Sequence, residues 1–461
     1  MHRVLQAFSN PHDRATALGS LTIIPLLIWW AGWYPAIMSS DSVDQWSQAL
    51  SFEFHNSHPI THTAYLWVIS LAWQTPAAVA LTQVVMFSVL LALVARRLVQ
   101  IGVRIPMAIA TVWIVVLLPM TAATTIAIWK DVPFTLAMGW VFTELLLVAK
   151  DQSRFWRTWH GPVRLGIGLG LMWALRANGK LTVLVFVVAL AIGFRTQWRE
   201  LVLVGSAVLG VGLVLPTLLV SVLPVANQPI EPAQVFMPDV AAVVVHDRDA
   251  LSLDDLALVA AVAPLAIWES QYDCGDSSPL VFHPEFDSSA IRGGSSSYQR
   301  LIVHAVVGAP GTVAGHRWCA GEYLLSPYNR TGTFVHRPPS EIWPNDLGLE
   351  RAPVSDRAYA VTLWAYKVVE HKRIEWLTWR PAIVVLLGLI TYAAVWRRRE
   401  LRPLRWVGLL FVVHLGNVFI TSPSHEFRYA FGLYLISLAS IPLWYLIIDP
   451  ARAHIASQGT S

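Results

Sequence analysis

Residues 76–95 read Pro-Ala-Ala-Val-Ala-Leu-Thr-Gln-Val-Val-Met-Phe-Ser-Val-Leu-Leu-Ala-Leu-Val-Ala, a stretch without a charge, and Arg96-Arg97 follow at once. About twenty apolar residues span the ~30 Å hydrocarbon core of a bilayer as a helix, and basic residues at one end mark the cytoplasmic side. The pattern recurs. Charge-free runs of similar kind are Leu18–Met38, Ile105–Ile128, Leu201–Leu223, Pro381–Trp396, Trp406–Pro423 and Tyr429–Ile448, and Val132–Ala149 is interrupted only by Glu144. Leu165–Phe194 is too long for one crossing and carries Arg176-Ala-Asn-Gly-Lys180 at its middle. It reads as a hairpin of two short spans, which brings the expected number to about ten.

Composition agrees. Of 461 residues, 55% are apolar and 13% charged, against roughly 25% charged in soluble domains. A soluble enzyme, a disordered regulator and a disulfide-stapled mini-protein are excluded, and the fold class expected is an all-α polytopic membrane protein. The formal net charge of +4 sits in short clusters between apolar runs, so it reads as a topology signal and not as a nucleic-acid surface. With the N-terminus inside, the cytoplasmic segments carry 17 Lys and Arg and the short outer loops only Lys130, Arg176, Lys180 and Arg428. Both termini are therefore expected in the cytoplasm. The first run is too long for a signal peptide and lacks a cleavage pattern. Ile60–Trp73 is expected as an interfacial helix on the outer face, after an amphipathic Val43–Phe54.

Three modules are expected: an N-terminal membrane module over 1–223, an extracytoplasmic loop domain over 224–380 and a C-terminal membrane module over 381–461. The loop domain shows helix-like pieces at Leu253–Glu269, Tyr298–Val307 and Tyr359–Trp376. It also holds both cysteines, and an oxidising compartment favours a Cys274–Cys319 disulfide over two free thiols.

Ionisable groups are costly at a membrane, so each is a functional suspect. Four clusters fall on the expected outer face. Asp41 and Asp44 follow the first run in Ser-Ser-Asp-Ser-Val-Asp-Gln; Asp41 reads either as a helix N-cap or as a general base whose pKa apolar walls tune. His58 lies in His55-Asn-Ser-His-Pro-Ile-Thr-His62, as a helix cap or a substrate contact; no nearby acid completes a metal set, and no metal site is assigned. Trp129-Lys130-Asp131 reads as an interfacial anchor or as a cation offered to a lipid phosphate and held by Asp131. Arg176, Asn178 and Lys180 join Ser424-His425-Glu426-Phe-Arg428-Tyr429 as a salt-bridge network or as an anion site, to which guanidinium is suited. No Walker A loop, G-x-S-x-G elbow, H-E-x-x-H helix or Rossmann glycine set occurs.

In their order and shared sidedness these motifs resemble bacterial GT-C glycosyltransferases, integral membrane enzymes that use polyprenyl-phosphate sugars. The set Asp-Ser…Gln…His-Pro, Trp-Lys-Asp, Arg-x-Asn-Gly and Phe-Arg-Tyr is similar to uncharacterised families of the DUF6020 kind, as is the stretch Tyr298-Gln-Arg-Leu…Gly308-Ala-Pro310…His316-Arg317. The resemblance implies a GT-C-like bundle in the bacterial plasma membrane with an extracytoplasmic active site. A polyprenyl-phosphate sugar would be the donor and a lipid- or polymer-linked envelope component the acceptor. Asp41 would be the base, and Asp131 (Glu53 less so) a candidate second acid, with a divalent cation left open. Lys130, Arg176 and Arg428 would hold the leaving phosphate, and Asp44, His58, Asn178, Lys180, His425 and Tyr429 would line the substrate site. A flippase for a lipid-linked precursor and a non-catalytic envelope scaffold are the alternatives.

Overall fold

The structure, a computed structural model, describes residues 10–228, 232–329 and 332–454. Along the chain run α1 (Pro11–Gly32), α2 (Ser40–Ser51), α3 (Ile60–Ser70) and α4 (Pro76–Gln100), then α5 (Ile105–Leu117), α6 (Pro119–Thr125) and α7 (Asp131–Lys150). Next come α8 (His160–Leu175), α9 (Gly179–Gly193) and α10 (Arg195–Val222). The long insertion contributes α11 (Pro232–His246), α12 (Ser295–Gly308), α13 (Pro310–Gly321) and α14 (Asp356–Glu370). The chain ends with α15 (Ala382–Arg397), α16 (Arg402–Thr421) and α17 (Phe427–Ile448). Among the described residues the strands are two residues long: β1 (Phe54–His55) pairs in parallel with β2 (Val225–Ala226). The chain is an all-α membrane protein. Among the described residues six helices, α1, α4, α7, α10, α16 and α17, are long and apolar enough to cross a bilayer, and α5 with α6 makes a seventh if that bent pair is one span.

Several boundaries differ from the sequence expectation for identifiable reasons. The first helix begins at Pro11, because the Asn10 side chain accepts from the His12 amide at 3.0 Å and Pro11 suits the first turn. It stops at Gly32 rather than Met38. The stretch after it is extended and pairs with the chain ahead of α7: Ile37 N–H donates to Ile126 O at 3.3 Å, and Ile128 N–H to Ile37 O at 3.0 Å. Two polar segments 90 residues apart, Ser39 and Trp129 among them, are thereby set side by side. The run Ile105–Ile128 bends by 68°, since Pro119 has no amide to donate and drives Leu118 out of the helical region.

Leu165–Phe194 does break at Arg176–Asn178, into α8 and α9. Gly179 is required there: a Cβ at this position would lie 2.3 Å from the Met172 carbonyl. Glu144, the one carboxylate inside an apolar run, is met by the Arg164 Nε at 3.1 Å across α7 and α8. Glu144 is accounted for by this ion pair.

The insertion divides between two cores. Met237, Val240, Trp268, Ile291 and Leu301 belong to a core of its own. Tyr323, Val335, Tyr366 and Trp379 pack into the core of the helix bundle. Predicted Leu253–Glu269 is two helices, Leu253–Val262 and Leu265–Gln271, parted at Ala263-Pro264; predicted Tyr298–Val307 and Tyr359–Trp376 correspond to α12 and α14. Cys274 and Cys319 form a disulfide with a Cα–Cα distance of 5.8 Å. It anchors a strap, for Ser277 N–H donates to Pro423 O at 3.1 Å and His425 N–H to Gly275 O at 2.8 Å. A second strap follows, with His336 N–H donating to His425 O at 2.6 Å and Phe427 N–H to His336 O at 3.0 Å. Both straps hold the link between α16 and α17. Removing the bridge as Cys274→Ala with Cys319→Ala is expected to cost about 2–4 kcal/mol, read as a lower unfolding midpoint in nanodiscs; an unchanged midpoint would show that the straps hold without it.

Candidate functional site

The paired stretches 33–39 and 126–128 deliver the start of α2 to the start of α7. Ser39 is the N-cap of α2: its amide donates to the Ser42 hydroxyl at 3.2 Å, and that hydroxyl donates to Ile128 O at 2.7 Å. The Trp129 indole N–H donates to Ser39 Oγ at 2.8 Å. Capping is therefore done by serine, and the reading of Asp41 as the cap is corrected. Asp41 stands in the first turn with its carboxylate free to face across the site. Trp129 is buried, not an aromatic-belt anchor.

Arg428, at the start of α17, completes the centre. Its Nη1 donates to Asp41 Oδ2 at 2.9 Å, and its Nε donates to Glu426. Lys130 Nζ lies 3.7 Å from the same Asp41 oxygen. Lys130 also donates to His58 Nδ1 at 3.1 Å, and His58 Nε2 lies 4.0 Å from Asp44 Oδ2. His58 therefore serves as a link between Lys130 and Asp44, and the N-cap of α3 is Pro59. Asp44 is held in turn by Gln48 Nε2 at 2.8 Å and by His55 Nε2 at 3.2 Å.

Behind this centre Arg176 lies 3.0 Å from Asp131, both almost wholly buried. The Tyr429 ring stands between two guanidiniums, Arg176 at 4.7 Å and Arg428 at 5.2 Å from its centroid. Its hydroxyl donates to Glu426 Oε1 at 3.0 Å, and Trp129 lies 5.1 Å from Arg428. Aromatic faces beside guanidinium groups keep them in plane without quenching their charge.

Burial raises the Asp41 carboxyl, but Lys130 and Arg428 outweigh it and hold it well below the usual carboxylate range. Burial, and then Lys130, pushes the His58 imidazole down to about 4, so it is neutral at pH 7 and accepts from the lysine. Burial lowers Lys130, with Asp41 acting against it. No cation of the centre stands without a carboxylate. An incoming anion would compete with the carboxylates for these donors, and the carboxylate most exposed to that competition is Asp41, at 26% side-chain exposure against 13% for Glu426 and 1% for Asp131.

The remaining candidates lie elsewhere. His425 is buried, and its Nε2 donates to the Cys319 carbonyl at 2.8 Å, beside the Tyr323 ring; it ties the disulfide-bearing helix to the α16–α17 link. Asn178 donates to Thr421 Oγ1 at 3.3 Å and its carbonyl accepts from Asn417 at 2.7 Å, joining the α8–α9 break to α16. Lys180 is exposed and has no ion pair among the described residues. Glu53 is exposed as well. Glu426, expected as a member of a salt-bridge network, is indeed paired with Arg428. Residues not anticipated are His55 and Gln48 as the holders of Asp44, and at the margin His336, whose Nε2 meets Asp276 Oδ2 at 2.9 Å; their 60-residue separation offers no signal. For a divalent cation the fit is poor: among the described residues no group of three His, Cys, Asp or Glu side chains could hold one. Neither a protein-family model nor a curated protein matches this chain.

Proposed function

We propose that the chain is a glycosyltransferase of GT-C type that moves a sugar from a polyprenyl phosphate to an acceptor of the bacterial cell envelope. The observation that carries this reading is the convergence of Arg428 and Lys130 on one oxygen of Asp41 at the end of an apolar helix bundle. A carboxylate and two cations on one spot supply a base and an anion hold within a few ångströms of each other.

In this reading the donor phosphate takes Arg428 and Lys130 from Asp41. Released from its cations, Asp41 is a stronger base and faces the acceptor hydroxyl. The acceptor oxygen attacks C1 as its proton passes to Asp41, the bond from C1 to the phosphate oxygen breaks with inversion, and the phosphate leaves with the electron pair. Arg428, Lys130 and Arg176 stabilise the charge that develops on it, which is where fixed cations lower a barrier most. His58, neutral, holds Lys130 in place, and no step needs a nucleotide or a metal. The short helices α8, α9 and α15 complete ten spans with both termini in the cytoplasm, and the insertion lies outside.

The test is turnover of radiolabelled polyprenyl-phosphate hexoses and pentoses by the purified protein in nanodiscs. Slow donor hydrolysis without acceptor is expected, falling about 10²–10³-fold in Arg428→Ala, the scale set by losing one charge-stabilising group. A protein that neither binds nor turns over any donor of the panel would sink the proposal.

A further inference from the structure

A cleft of about 520 Å³ opens between the insertion and the start of α15. Tyr328, Phe334 and Trp376 form its walls, and Lys372, Glu375 and Arg380 supply its charged groups. The three aromatic side chains are 73%, 40% and 46% exposed, although packing them inward would release apolar surface from water. Two of the three charged groups, Glu375 and Arg380, are buried instead. Arg380 is 2% exposed; its Nε donates to Ser326 O at 2.6 Å and its Nη2 to Glu322 at 2.9 Å. Its Nη1 is buried without an acceptor among the described residues. Glu375 is 4% exposed, with Oε1 accepting from Val335 N–H at 2.6 Å. Lys372 Nζ stands 4.7 Å from the Phe334 ring centroid.

Open aromatic faces above a floor of mixed donors and acceptors select a particular chemistry. A phosphate would meet the Glu375 carboxylate in the same cleft. An acyl chain would cover buried charges without hydrogen bonding to them, which is costly. A neutral sugar ring fits both halves: its C–H face packs on tyrosine or tryptophan, and its hydroxyls donate to Glu375 and accept from Lys372 and Arg380. The cleft is also coupled to the charged centre. Phe334 and Val335 run directly into His336, whose backbone pairs on both sides with His425 and Phe427, and Glu426 between those two holds Arg428.

We propose that this cleft binds the saccharide part of the acceptor, so that the acceptor is a glycan and not a bare lipid or a protein side chain. The assignment rests on the transferase reading. Phe334 in the cleft wall is continuous with the His336 strap, which gives a bound chain a route toward the charged centre.

The experiment uses the full-length protein in nanodiscs on an array of neutral oligosaccharides of four to six units built from glucose, galactose, mannose, arabinose or rhamnose. Bound ligands are then followed by saturation-transfer NMR. At least one series is expected to bind, with affinity falling about tenfold or more in Trp376→Ala and in Tyr328→Ala and recovering in Trp376→Phe. No binding at millimolar concentration, or binding that both alanine variants leave intact, overturns the cleft. Donor hydrolysis dependent on Asp41 without saccharide binding would remove the cleft and keep the transferase. Saccharide binding without any donor turnover would do the reverse.

Discussion

Sugar transfer by Asp41→Asn is expected to fall by about 10²–10⁴-fold, the range spanned by the loss of a positioned general base, while the protein still folds. The side chains are of equal size, and Arg428 keeps Glu426 as partner in the variant. The change should move binding the other way. On the transferase reading, Asp41, 2.9 Å from Arg428 and 3.7 Å from Lys130, competes with the donor phosphate for both cations, and asparagine gives up that competition. Affinity for polyprenyl phosphate should therefore hold or tighten in Asp41→Asn and weaken in Arg428→Ala. Turnover and product affinity, measured on the same preparations in nanodiscs, decide the matter. Transfer within tenfold of wild type in Asp41→Asn would remove Asp41 as the base. Weakened phosphate binding in the same variant would mean that the carboxylate orders the cations and does not compete with the anion.

How much of this was legible depends on the range of the interactions. The apolar runs are local and match a bilayer, so α4, α7 and α17 are readable to within a few residues. So is the break at Arg176-Ala-Asn-Gly-Lys180, where a cation and a glycine interrupt an apolar stretch. The length of α1 was not, because its end is decided by backbone pairing of Ile37 with Ile126 and Ile128. That same pairing makes Ser39 the cap and frees Asp41. A run of residues suited to capping, Ser39-Ser-Asp-Ser, cannot say which of them caps until the facing segment is known. Asp41 and Arg428 are 387 residues apart, and only their common expected side of the membrane hinted that they meet. Proximity in the chain groups His425 with Arg428. In the extended link before α17, successive side chains alternate in direction, so His425 goes to Cys319 while Glu426 goes to Arg428. The span count is legible only in part: six helices, or seven with the bent pair, have the length of a span among the described residues, whereas α8, α9 and α15 are apolar but only 16, 15 and 16 residues long, and length alone does not separate a short span from a buried helix.

Arg176 and Asp131 allow the structural and the chemical account of the charged centre to be separated. The two are 3.0 Å apart with side-chain exposures of 7% and 1%. Replacing either alone leaves the other charge buried without its partner, at a cost of about 3–5 kcal/mol. Arg176→Ala and Asp131→Ala are both expected to lower the unfolding midpoint in nanodiscs and the yield of folded protein. Replacing the pair together, as Arg176→Met with Asp131→Leu, removes both charges and keeps the volume. Such exchanges of a buried ion pair for apolar side chains are commonly neutral or stabilising, so the double variant should regain most of the lost midpoint. Activity should not follow. Arg176 is one of three cations assigned to the leaving phosphate, and the refolded double variant is expected to remain about 10²-fold slow in donor hydrolysis, the low end of what one charge-stabilising group supplies. If stability and turnover recover together, the pair is a fastener between α7 and the α8–α9 break, and the phosphate is held by Lys130 and Arg428 alone. If stability recovers and turnover does not, the cost of burying an arginine at this depth is retained for the charge it presents to the departing phosphate.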